Sequence, residues 1–130
     1  MSLNEKKLEI FEQSLDKRLP QMKREYVRAV NRDLTRQNWS GTFGRNITLV
    51  LDDNLKNVSG ELAEIALIPE IKDRAHEMVL DFARVFVQSA LQHNRTTCAL
   101  SNFTTEHQPD AQYLRDVIYK VEHSINGFFV

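Results

Sequence analysis

The sequence predicts an all-α fold: a four- or five-helix bundle of the up-down antiparallel kind, a single domain over residues 1–130, with a kinked N-terminal helix. Three observations predict it. Apolar residues recur at steps of three and four over about seven turns from Leu8 onward. The stretch Met78 to Leu91 is apolar around most of a helical circumference, which requires other helices on several sides. Glycine, proline and asparagine then divide the chain into pieces of helical length, with no internal repeat.

The first helix is defined by Leu8, Phe11, Leu15, Leu19, Met22, Tyr26, Val30 and Leu34. Pro20 removes the hydrogen bond to Asp16, giving either one kinked helix or two nearly collinear ones; the unbroken register favours the kink. Asn38 to Gly44 carries two glycines and reads as a loop, after which Asn46 is expected to cap a helix. Ile47, Val50, Leu51, Leu55 and Val58 keep helical spacing, although residues 47–51 would also suit a short strand. Ser59-Gly60 opens a short helix that runs through Leu62, Ile65 and Ala66 until Pro69.

Pro69 suits the first turn of the next helix, where its missing N–H costs nothing. That helix is expected to continue to about Asn94 and to occupy the centre of the bundle. Thr96 to Gln108 reads as a long connection in which residues 96–100 suit a short extended piece. A last helix from near Pro109 would bury Ala111, Leu114, Ile118, Val121 and Ile125 and stop at Asn126-Gly127. The apolar triplet Phe128-Phe129-Val130 is expected to pack back onto the domain; the alternatives are a docked partner or a domain cut short.

Composition narrows the function classes. With 17 Lys+Arg, 18 Asp+Glu and 42% hydrophobic residues, the chain is neither a disordered acidic segment nor a histone-like basic one. The net charge of −1 hides a division: ten basic against six acidic residues up to residue 46 (+4), then seven against twelve (−5). No stretch offers the roughly 20 apolar residues a membrane span needs. The charged start lacks the apolar region of a signal peptide, and its opening Met-Ser-Leu has the look of vector-derived residues. The lone Cys98 excludes an internal disulfide and suits small-residue packing in a reducing, cytoplasmic setting. Against this, Asn-x-Ser/Thr occurs at Asn38, Asn46, Asn57, Asn94 and Asn102, more often than chance. The plainer reading is that these residues cap helix boundaries.

The sharpest local feature is Arg24, Arg28, Arg32 and Arg36. Steps of four on a helix drift only about 40° and rise about 6 Å, so the four form a stripe roughly 18 Å long, about 200° from Met22, Tyr26, Val30 and Leu34. The three like-charge steps cost about 1 kcal/mol in all unless acidic groups or an anionic ligand compensate. A solvated face bridging to acidic side chains is one reading; a phosphate or nucleic-acid site is the other. Trp39 and Phe43 could stack on bases, with Gly41 to Gly44 and Arg45 supplying flexible backbone and a cation, while the plainer role of Trp39 is to close the bundle end.

Glu61-x-x-Glu64 and Glu70-x-x-Asp73, followed by Glu77 and Asp81, form an acidic constellation. All-α nucleotide pyrophosphohydrolases use two such pairs across a helix turnaround. Here only five residues including Pro69 lie between the pairs, and Glu77 and Asp81 are four apart, so membership does not follow. His76, His93, His107 and His123 lack metal-ligand spacing, and no catalytic elbow, phosphate loop or dinucleotide fingerprint occurs, so no cofactor or metal is expected. The sequence therefore points to a small non-enzymatic interaction or regulatory protein that self-associates or binds a protein partner. The alternative is nucleic-acid or phosphate binding by the arginine stripe with Trp39 and Arg45; a magnesium-dependent nucleotide pyrophosphohydrolase comes second.

Overall fold

A computed structural model describes residues 2–33 and 39–100, with 115–116, 119–120, 122–123 and 126–127 beyond them. Its helices are α1 (Leu3–Asp33), α2 (Trp39–Asn57), α3 (Ser59–Ala66) and α4 (Pro69–Leu100), and no strand occurs among the described residues. Helix α1 begins at a serine N-cap: the Ser2 hydroxyl accepts the Glu5 N–H at 3.1 Å. It is one helix through Pro20. Its core face is the expected one, with Leu8, Phe11, Leu15, Met22, Tyr26 and Val30 buried. Each such burial stabilises the fold by about 1.5–3 kcal/mol.

Side-chain contacts give the directions. Asn4 meets Glu70 near the start of α1 and α4, and Tyr26 meets Asn94 toward the other end, so these two helices run parallel. The segment between them must return the chain. Helices α2 and α3 do this as one leg interrupted only at Val58, whose carbonyl still accepts the Leu62 N–H at 3.0 Å. The turn into α4 is tight, and the Ile68 carbonyl receives the Lys72 N–H at 3.0 Å with Pro69 in the first turn. Beyond it, Glu122 binds Arg84 and Asn126 binds His76, so from Glu122 to Asn126 the direction along α4 is reversed. The legs alternate up and down, as expected. Helix α4 is the central one, buried on opposite sides at Leu80 and Phe82.

Three boundaries differ from the sequence expectation. Residues 39–44 are helical rather than a loop, because Phe43 and Ile47 are both needed in the core and carry the α2 register backward through Gly44. A helical glycine costs about 1 kcal/mol, less than burying one such side chain returns. Asn46 consequently does not cap a helix; it is buried inside α2. Helix α4 continues to Leu100 in place of an extended piece, and the hydroxyls of Thr96 and Thr97 donate to the carbonyls of Gln92 and His93 at 3.1 and 2.9 Å. Such back-bonding lets threonine sit inside a helix. Residues 47–51 are helix. The apolar positions proposed for the last helix, the terminal triplet, and the side chains of Cys98 and Trp39 lie outside the described residues.

Candidate functional site

The arginine stripe lies on the outer face of α1. Arg24, Arg28 and Arg32 are all exposed, on the side of the helix away from Met22, Tyr26 and Val30. Arg32 has an interaction of its own, and no ion pair of Arg24 or Arg28 occurs among the described residues. Glu25, the acidic neighbour on this stretch, accepts a hydrogen bond from Asn54 of α2 at 3.2 Å. Arg36 lies outside the described residues. Arg45 is exposed on α2. Phe43 is buried in the core and so is not available to stack on a base, which corrects that expectation.

The face reaches further than the four-residue arginine steps suggest. At 100° per residue, Leu3, Lys6, Ile10, Lys17, Gln21, Arg24, Arg28 and Arg32 fall within about 40° of one line, over about 44 Å of helix. All eight are exposed and none is acidic. The carboxylates of the first half of α1, Glu5, Glu9, Glu12 and Asp16, gather about 130° round from that line. The first half of α1 is thus divided into core, basic and acidic sides. Extending the wheel by steps of seven from Arg24 to Lys17, Ile10 and Leu3 would have revealed the longer face.

On the acidic side, α1 and α4 leave a groove of about 160 Å³. Leu15, Leu19, Met78, Phe82 and Val85 form its apolar lining, and Glu12, Asp16 and Asp81 its charged rim. Asp81 also pairs with Arg84 at 3.3 Å.

The opposite end of the α1–α4 seam is polar and closed. The Tyr26 hydroxyl donates to Asn94 Oδ1 at 2.5 Å, and the Tyr26 ring meets Phe86 and His93 edge-on, with centroids 6.1 and 6.2 Å away. Asn94 is fully buried, and its Nδ2 has no hydrogen-bond partner among the described residues. Burial pushes the His93 imidazole below its ordinary pKa, favouring the neutral ring that Thr97 Oγ1 approaches at 3.3 Å. These groups hold the helices together; none stands in a described cavity. Burial of Asn46 and Asn94 also leaves no room for a glycan at those two sites in this fold, whereas Asn57 is exposed at the end of α2. The boundary-capping account therefore fails for Asn46 and Asn94, which lie inside helices.

Glu61, Glu64, Glu70 and Asp73 are exposed, and among the described residues no group of three or more His, Cys, Asp or Glu side chains converges to hold a metal ion. Nor is any described helix long and apolar enough to cross a membrane. No family model, curated protein or solved structure matches the chain.

Proposed function

We propose that this chain is a small non-enzymatic interaction module whose working surface is the outer face of α1, where an anionic surface of a protein partner docks. The observation that supports it is the exposure of Arg24 and Arg28, with Arg32 continuing the line, while Glu25, next to Arg24 in the chain, accepts a hydrogen bond from Asn54. Cations spaced along one rigid helix repel one another until an opposing anionic surface offsets that cost. A second reading, phosphate or nucleic-acid backbone as the anionic surface, draws on the arginine side chain itself, which donates bidentately to phosphate. A pyrophosphohydrolase has less support, since Glu61, Glu64, Glu70 and Asp73 belong to no converging cluster among the described residues.

The test is binding at low salt to an acidic peptide and to mixed-sequence single- and double-stranded oligonucleotides, measured by fluorescence anisotropy. Arg28→Ala with Arg32→Ala is expected to weaken binding about ten-fold or more and to flatten its salt dependence, with the helical circular dichroism unchanged. Peptide binding that depends on these arginines supports the first reading, and oligonucleotide binding alone the second. If the wild-type chain binds none of these probes at low salt, both readings fall.

A further inference from the structure

The basic face of α1 and the acidic groove between α1 and α4 are complementary, and every copy of the chain carries both. We propose that the groove is a docking site for a second copy of this chain, which inserts Ile10 of its own α1 between flanking lysines. This deepens the interaction-module reading and rests on it.

Five observations carry the inference. Leu3 is 71% exposed and Ile10 55%, seven residues apart on one face, so two large apolar side chains stand in water where single-chain folding gives them nothing to bury against. Lys6 and Lys17 lie on the same line and are exposed, so the apolar pair sits in a basic setting. The groove offers the reverse arrangement, apolar walls beneath Glu12, Asp16 and Asp81, with Val85 still 44% exposed. The described C-terminal residues Glu122 and Asn126 meet α4 at Arg84 and His76, neither of which lines the groove. The near balance of 17 basic against 18 acidic residues fits a chain that answers its own charge.

The geometry has a consequence for assembly. The donor face and the groove are different surfaces of one molecule, about 130° apart around α1. Contact between them is head to tail, and it produces an open chain or a closed ring instead of a two-fold dimer.

The experiment is sedimentation velocity on the whole chain at low and high salt, over a wide concentration range. At low salt the wild type is expected to grow beyond its 15.1 kDa monomer with concentration, and at high salt to return toward it. Ile10→Glu destroys the donor face and Val85→Lys the groove; both positions are exposed, and unchanged circular dichroism verifies that each variant folds. Each variant alone is expected to stay monomeric. Mixed in equal amounts they should form one-to-one dimers and stop there, because each supplies the one surface the other lacks. A monomeric wild type at all concentrations, continued growth of either variant alone, or a mixture that stays monomeric would overturn the proposal. So would loss of anionic-vesicle binding in Ile10→Glu while Val85→Lys behaves as wild type, since Leu3 and Ile10 would then serve a lipid surface. Val85→Lys leaves the α1 arginines in place and should bind the acidic peptide as the wild type does, so failure of the α1 arginines as a partner site and failure of the groove are read separately.

Discussion

Helices α1 and α4 are fastened at both ends by an asparagine, and the two ends differ in almost every physical respect. Near the N-termini, Asn4 Nδ2 donates to Glu70 Oε2 at 2.9 Å in water. Some twenty residues on, the Tyr26 hydroxyl donates to Asn94 Oδ1 at 2.5 Å, with both residues essentially inaccessible. The exposed bond replaces hydrogen bonds that water would make equally well. The buried bond has no such substitute, and breaking it leaves a polar atom stranded. Similar pairs of atoms therefore do different work, and burial decides which end holds the register of the two helices.

The largest expected effect comes from placing a charge at the buried end. Asn94→Asp puts a carboxylate where the side chain is fully buried, with only the Tyr26 hydroxyl to solvate it. The loss should be about 3 kcal/mol or more at neutral pH, read as a lower urea midpoint, and should shrink as the introduced carboxyl is protonated in acid. A loss below about 1 kcal/mol would mean that the site is wet and the contrast between the ends is wrong. Next in size is Tyr26→Phe, which strands Asn94 Oδ1 and should cost about 1–2 kcal/mol. In an Asn94→Leu background the same change should cost far less, since the leucine has no acceptor to strand and also removes the unpaired Nδ2.

How much of this was legible follows from the range over which each feature is determined. The core face of α1, the helix starts at Ser59 and Pro69, and the central place of α4 are set by spacing within one segment, so periodicity alone reveals them. The start of α2 was hidden because Gly41 and Gly44 signal a break locally, while burial of Phe43, which overrides them, depends on helices distant in sequence. Asn46 and Asn94 were misplaced for a related reason: asparagine suits a helix cap and a buried hydrogen bond alike, and only the partner, such as Tyr26 68 residues away, distinguishes them. Within the candidate site the exposed side of Arg24, Arg28 and Arg32 could be read from the wheel. The groove could not, because Asp16 and Asp81 become neighbours only when α1 and α4 pack.

The next effect sharpens what burial does beside the closed end. Desolvation holds the folded-state pKa of His93 below its ordinary value, so the folded protein resists protonating a ring that the unfolded chain protonates readily. Between the lowered folded value and the ordinary unfolded value near 6.5, the unfolded chain binds more protons and stability rises with pH. The contribution is fully present above that ordinary value and is lost as pH falls through the window. His93→Gln should flatten this part of the curve of urea midpoint against pH. An unchanged slope would assign it to other groups.

The smallest effect belongs to the exposed end. Asn4→Ala removes the bond to Glu70 but leaves that carboxylate free to be hydrated, so the expected loss is about 0.5 kcal/mol or less. Ser2→Ala, one turn away, is the internal reference. It removes the hydroxyl that accepts the Glu5 N–H and should cost about 1 kcal/mol, because it frees a helix-end donor within α1 itself. Urea midpoints of the two variants, measured side by side, decide the matter. If Asn4→Ala proves the costlier, the Asn4–Glu70 contact does more than water could, and the two ends of the α1–α4 pair are fastened more alike than their burial implies.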